Sequence, residues 1–233
     1  MKGKLIVIEG NDGSGKTTQL NLLKEYFTSV QISYNVIDFP RYADSFYGKM
    51  VAQFLRGDYG DLKDVNPYLI SVIFALDRSQ ATEEMKQWLQ EGNIVLANRY
   101  APSNMAHQAG RLPKEKRDAF IAWDEELEYT VHGIPREDIV IYLYVPYEMA
   151  DTLLTNKDRG ERSYLGDAKK DLVEKNEEYL KNAGEVYQQL AKKFPHWVTI
   201  TCVDEEGNMR SKEDIHEEIK KVLKDKNIVA SSM

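Results

Sequence analysis

The sequence predicts an α/β protein built on a doubly wound parallel sheet. Three observations carry that prediction. Five short runs rich in Val and Ile are apolar at consecutive positions, as strands covered on both faces must be. Longer amphipathic segments separate these runs, which is the alternation of parallel strands with crossover helices. A glycine-rich stretch lies between the first run and the first amphipathic segment. The chain has 233 residues, 42% of them hydrophobic, enough for one α/β domain with or without a small lid.

The strand candidates, in order, are LIVIE (5–9), YNVIDF (34–39), NIVLAN (93–98), DIVIYLYV (138–145) and WVTITCV (197–203). The helical candidates are 16–29, 45–57, 67–91, 113–131, 147–156, 169–194 and 211–225. One stretch breaks the pattern. NKDRGERSYLGDAKK (156–170) is charged, holds two glycines and has little apolar content, so it reads as a mobile surface loop. The terminal NIVASSM is compatible with docking or fraying. No internal repeat and no low-complexity linker is evident, and the expected organisation is a single domain over 1–228 with a tail at 229–233.

Composition excludes several classes. A formal charge of -7 argues against a general nucleic-acid binder, which needs a basic excess to displace counterions. It leaves room for a small phosphate ligand held by a few cations. The single cysteine, Cys202, rules out a disulfide within the chain and argues against a cysteine metal cluster. It reads as a buried strand residue. A strand begins within five residues of the start, leaving no room for a signal peptide, and no apolar run is long enough to span a bilayer. The expectation is a cytoplasmic protein with no membrane partner.

Gly10-Asn11-Asp12-Gly13-Ser14-Gly15-Lys16-Thr17, followed by Thr18, fits G-x-x-x-x-G-K-[ST] at every place. Glycines let backbone N–H groups turn inward around an anion, and the following helix offers its unpaired N–H groups and positive dipole end. Lys16 can bridge the β- and γ-phosphates, and the Thr17 hydroxyl can ligate Mg²⁺. A bare glycine turn would not explain the Lys-Thr that follows.

Several nucleotide-binding classes then remain. A GTP switch needs N-K-x-D, but in Asn156-Lys157-Asp158 the Asp comes one place early, and no D-x-x-G occurs between 20 and 150. A mechanical ATPase usually has a strand ending in carboxylates, whereas NIVLAN ends in Asn98. A small-molecule kinase needs cations for an acceptor phosphate and a movable basic lid. Arg41 follows YNVIDF and Arg99 follows NIVLAN, at strand ends where open α/β sheets bind ligands. Arg78 lies four residues after Phe74, so on a helix a ring and a cation share one face and could hold a nucleobase. Core packing is the competing reading for Phe74, and a surface salt bridge is the competing reading for any one arginine.

These motifs together resemble those of thymidylate kinases. EGNDGSGKTTQ, FPRY (39–42), GDYGDL (57–62), IFALDR (73–78) and NRYAPSNMAHQ (98–108) occur in that family's order and at its spacing, and HGIPREDIVIYLYVPYEMA resembles its approach to the fourth strand. The resemblance implies a P-loop NTPase three-layer α/β/α fold: a five-stranded parallel sheet with flanking helices and a small mobile lid at about 156–170. It also implies ATP and Mg²⁺ as cofactors, dTMP as acceptor, and a homodimer.

Carried over by residue, Lys16, Arg99 and Asp12 are expected to be catalytic, with Arg159 and Arg162 as lid cations. Residues 11–14 contain no basic side chain, which resembles the branch of the family that keeps this arginine in the lid. Gly10, Asn11, Asp12, Gly13, Ser14, Gly15, Lys16, Thr17 and Thr18 are expected to hold ATP, and Thr17 and Asp12 the metal. Phe39, Arg41, Tyr42, Phe74, Arg78, Arg99, Ser103, Asn104, His107 and Glu174 are expected to line the dTMP site. Phe74 would stack on thymine, Arg78 and Asn104 would read its edge, and Arg99 would clamp the acceptor phosphate. Asp171 and Glu174 match acidic positions near sugar and metal. Two residues depart from the family's pattern. Asn98 stands where Asp is usual, keeping an oxygen without the charge, and His107 stands where an aromatic usually packs on the sugar. The alternatives are a kinase for another (deoxy)nucleoside monophosphate and a low-turnover P-loop binding protein.

Overall fold

The computed structural model describes residues 2–147, 149, 172 and 176–229. The expected lid, with Lys157, Arg159 and Arg162, lies outside the described residues, as do Asp171 and Glu174.

The five expected strands are present: β1 (Lys4–Glu9), β2 (Tyr34–Asp38), β3 (Ile94–Asn98), β4 (Ile139–Tyr144) and β5 (Trp197–Thr201). They form one parallel sheet in the order β2-β3-β1-β4-β5. Helices α1 (Lys16–Ser29), α2 (Phe46–Arg56), α3 (Pro67–Ser79), α4 (Thr82–Gln90), α5 (Ala101–Ala109), α6 (Lys114–Glu125), α7 (Glu177–Lys193) and α8 (Lys212–Asp225) surround it.

The period of two in each strand sends alternate residues to opposite faces. Leu5 and Val7 of β1 join Met85, Met105, Phe120 and Leu190 on one face. Ile6 and Ile8 join Leu23, Phe27, Ile219 and Leu223 of α1 and α8 on the other. Both faces are therefore covered, giving three layers. A third cluster, including Val51, Phe54, Ile70 and Tyr179, joins α2, α3 and the start of α7. Val229 is buried and packs with the α1–α8 layer, so the end of the chain docks at least that far. Cys202 is buried and free, as expected.

Three departures from the expected elements have physical causes. The segment 67–91 is two helices, with no Gly or Pro at the break. Asp77 O, which a continuous helix would offer to the Ala81 N–H, instead accepts from Arg41 Nη2 at 2.8 Å. The Ala81 N–H turns to Arg78 O at 3.0 Å. The segment 113–131 ends in a π-helical turn over Glu126–Val131, which carries Glu128 inward to complete burial. Helix α5 was not expected. No side chain of its own caps it. Its first turn is closed by Glu9 of β1, where the Tyr100 N–H donates to Oε1 at 2.9 Å and the Ser103 N–H at 3.1 Å.

The chain leaves β1 to one side, to β2 and β3, and returns to the other for β4. The crevice at the carboxyl ends of β1 and β3 is thus the point where the strand order reverses, the place an open α/β sheet offers a ligand.

Candidate active site

The loop after β1 has the backbone of an anion cradle. Gly10, Gly13 and Gly15 have φ of 144, 85 and 88°. At Gly10 a side chain is also excluded by space, since a Cβ would lie 2.6 Å from both Leu143 O and Ser14 Oγ. Lys16 Nζ donates to the carbonyls of Gly10 and Asn11, each at 2.9 Å, so the ammonium lies over the loop. Ser14 and Asn11 are buried, and Ser14 Oγ and Asn11 Oδ1 have no hydrogen-bond partner among the described residues. Thr17 lies in the first turn of α1, and Thr18 beside it is exposed. Helix α7 roofs the loop. At Gly184 a Cβ would come within 3.1 Å of Asn11 Nδ2, so a larger residue there would press on the Asn11 side chain.

The adjacent strand supplies the second cation. In the register, Ile8 lies opposite Asn98, and the Arg99 N–H donates to Ile8 O at 3.0 Å. Arg99 takes a left-handed φ of 62° that swings its side chain to the loop. There Arg99 Nη2 pairs with Asp12, whose carboxylate also lies 3.6 Å from Lys16 Nζ. One carboxylate thus joins the P-loop lysine to the arginine of the next strand. Burial alone would lower the Arg99 pKa, but Asp12 outweighs it and holds the guanidinium above its ordinary value.

Helix α5 presents Ser103, Asn104 and His107. The Ser103 hydroxyl donates to Glu9 Oε2 at 2.7 Å and accepts from Arg99 Nη1 at 3.4 Å. The Tyr187 hydroxyl donates to the same Glu9 oxygen at 2.9 Å. Burial and then Glu9 hold the Tyr187 phenol well above its ordinary pKa. His107 stacks on Tyr179 and meets the edge of Tyr187. Burial first and the charge of Arg99 second push its pKa down to about 3, so the ring is neutral.

The residues expected to read the base are tightly held. Phe74 is partly buried and meets Phe54 edge-to-face at 6.3 Å. Arg78 is buried, its Nε donating to both oxygens of Glu128 at 3.0 and 3.1 Å and its Nη2 also bound there. Burial alone would lower its pKa, but Glu128 outweighs that and the guanidinium is raised. Asn104 Nδ2 donates to Asp124 Oδ1 at 2.9 Å and to Ser71 O at 3.3 Å. Burial, then Glu128, raises the Asp124 pKa well above its ordinary value.

Arg41 is clamped by Asp77 through its backbone N–H at 2.9 Å and its Nε at 3.3 Å. Tyr42 lies close enough to act on the charge of Arg99. Phe39 is a core residue against Tyr100, 5.7 Å between centroids. The structure therefore gathers Lys16, Asp12, Arg99, Ser103 and His107 at one crevice and holds Arg78 and Asn104 together through Glu128 and Asp124. Sequence reasoning missed Glu9, Glu128 and Tyr179. The one available signal was a Glu ending an otherwise apolar strand run, next to the glycine loop.

The donors suited to Mg²⁺ are oxygens: the Thr17 hydroxyl, the Asp12 carboxylate and Asn98 Oδ1, which is buried without a hydrogen-bond partner among the described residues. A few oxygens beside a phosphate cradle fit an ion that takes most of its ligands from nucleotide and water.

A family model described as thymidylate kinase matches residues 8–219. A thymidylate kinase of Mycobacterium tuberculosis is 32% identical over 187 residues, covering 80% of this chain and 85% of that one. One from Prochlorococcus marinus is 31% identical over 232 residues, covering 97% and 100%. One from Plasmodium falciparum is 30% identical over 220 residues, covering 94% and 89%. Among solved structures, thymidylate kinase from Candida albicans superposes with a TM-score of 0.73 over 99% of this chain and 96% of its own, at 18% identity, which supports the fold. With a phosphate cradle, an arginine on the neighbouring strand and a family match across most of its length, the chain belongs to the thymidylate kinase family.

Proposed function

We propose that this protein transfers the γ-phosphoryl group of ATP to the phosphate of dTMP, giving dTDP for dTTP synthesis. The observation that carries the reading is Asp12, which touches Lys16 on the donor side and Arg99 on the acceptor side. The transferring group would pass between those two cations. Family membership favours neither the alternative acceptors nor the low-turnover binding protein.

The acceptor phosphate is already ionised at neutral pH, so no general base is required. The barrier is the meeting of two anions, and the protein lowers it by alignment and fixed positive charge. Gly10 to Thr18 would cradle the ATP phosphates, with Lys16 on the β- and γ-groups. Arg99 would exchange Asp12 for the dTMP phosphate. The Asp12 carboxylate, the Thr17 hydroxyl and Asn98 Oδ1 would help hold Mg²⁺. The ion would supply charge neutralisation along the phosphates. Phe74 would stack on the base. Arg78 Nη1, the nitrogen left over from the Glu128 pairing, and Asn104 would meet its polar edge. Arg41 and Tyr42 would line the phosphate side, and Arg159 and Arg162 would act as lid cations, with Glu174 near the sugar.

A homodimer through α2 and α3 fits this reading, because Phe46 and Leu69 are exposed there at 68% and 69%. No helix of the described residues is long and apolar enough to cross a membrane, and the single free cysteine suits a reducing cytoplasm. The test is a coupled ADP-release assay with ATP-Mg²⁺ and, in parallel, dTMP, dUMP, UMP, dCMP, dGMP and AMP. Turnover highest with dTMP is expected. Equal turnover with dCMP or AMP would reject the base assignment.

A further inference from the structure

We propose that His107 and Tyr179 are positioning residues for Arg99, acting through a one-directional hydrogen-bond chain that starts at the guanidinium and ends on helix α7. The inference rests on the reading of Arg99 as the clamp of the acceptor phosphate. Arg99 Nη1 lies 3.3 Å from His107 Nε2. A guanidinium only donates, so Nε2 must be the bare, accepting nitrogen. A neutral imidazole then carries its proton on Nδ1, which lies 2.9 Å from the Tyr179 hydroxyl. The direction is therefore fixed: Arg99 donates to His107, and His107 donates to Tyr179.

The ring is gripped as well as bonded. Tyr179 stacks on it, with 5.7 Å between centroids and 23° between planes, and Tyr187 meets it edge-on at 5.7 Å. The charged groups acting on the ring are Arg99, Asp12 and Lys16. Burial first, and then the two cations, oppose a positive charge on the ring, in agreement with the depressed pKa. Neutrality has a use at this point. A carboxylate would fix Arg99 equally well but cancel the charge an incoming phosphate needs. The imidazole fixes Nη1 without cancelling it, while Nη2 stays on the exchangeable Asp12. With both ring nitrogens committed, His107 has none left to bond a sugar hydroxyl.

Three measurements test this. Long-range ¹H–¹⁵N correlation spectra of the labelled full chain, with His107 assigned by comparison with His107→Phe, should show the Nδ1–H tautomer from pH 5 to 8. An Nε2–H tautomer would overturn the proposal. In steady-state kinetics, His107→Phe should raise the dTMP KM about tenfold, as expected for loss of a hydrogen bond to a charged group, and leave the ATP KM within about twofold. Tyr179→Phe should raise the dTMP KM in the same sense, since it removes the acceptor that selects the tautomer. In an Arg99→Ala background, both substitutions should add less than about twofold, because coupled residues are non-additive. Full additivity, with Arg99→Ala itself raising the dTMP KM, would overturn the positioning role alone. An Arg99→Ala enzyme with unchanged dTMP KM and kcat would instead remove the clamp reading on which it rests.

Discussion

Glu9 is the residue whose loss the structure prices most directly. Its carboxylate is fully buried and accepts from four donors: the N–H groups of Tyr100 and Ser103 on Oε1, and the hydroxyls of Ser103 and Tyr187 on Oε2. In Glu9→Ala the two hydroxyls can turn to each other, being already 3.0 Å apart. Of the two backbone N–H groups, that of Ser103 keeps Tyr100 O at 3.1 Å, and only that of Tyr100 loses its acceptor. One unsatisfied donor costs roughly 1–3 kcal/mol, and the lost anion at the α5 N-terminus costs about 1 more. Relief of the carboxylate's own desolvation offsets part of this, leaving a net loss of about 2 kcal/mol. For a chain of this size that is a fall in Tm of about 4–8 °C. Glu9→Gln keeps an oxygen for the two N–H groups and gives up only the charge, so about 1–2 kcal/mol is expected. Calorimetry paired with guanidinium unfolding would measure both variants. A Glu9→Ala protein that melts within about 2 °C of the parent would refute the argument that this carboxylate closes α5.

The other predictions concern charge. Lys16→Ala should abolish phosphoryl transfer, because it removes the ammonium that the Gly10 and Asn11 carbonyls hold over the loop. Retained turnover in the coupled assay would contradict the mechanism. Glu128→Ala should cost about 3–5 kcal/mol, since it strands Arg78 as an unpaired buried cation, whereas replacing both by Leu should be close to neutral in stability. Thermal melts of the two variants decide this, and the double variant should still lose its preference for dTMP. For pH, His107 is depressed from 6.5 to about 3, so the unfolded chain binds the extra proton in that window. The stability its neutrality contributes is full above pH 6.5 and is lost as pH falls toward 3, at up to about 1.4 kcal/mol per pH unit. The parent should therefore lose stability faster than His107→Phe on acidification, and parallel slopes in urea titrations would refute the assignment.

What the sequence made legible follows from the range of the interactions involved. Strands β1 to β5 are apolar along their length and announce themselves locally. The P-loop is a contiguous motif, because a phosphate cradle is made by neighbouring backbone groups. Helix α5 was not legible: its closing acceptor is Glu9, about ninety residues earlier in the chain, and no local side chain replaces it. The break between α3 and α4 was hidden for the same reason, since a carbonyl is taken by Arg41 from another element. Spacing alone puts Phe74 and Arg78 on one face, but the pairing of Arg78 Nε and Nη2 with Glu128 depends on a π-helical turn no periodicity shows.

The same contrast bears on how the site works. Each cation meant for a ligand is held by a carboxylate of unequal permanence. Arg78 is locked to a buried Glu128, and Arg41 to a buried Asp77, so both are fixed parts of the pocket wall. Arg99 and Lys16 share Asp12, whose side chain is 28% exposed and so can be displaced by an entering phosphate at little desolvation cost. On the proposed reading, burial of the partner thus sorts the cations into those that would shape the site and those that would meet the reacting phosphates. Asn98 extends the logic. A neutral amide at the end of β3 adds no second carboxylate to compete for Arg99, which leaves Asp12 as the single anion among the described contacts of that guanidinium, the one a bound phosphate would replace.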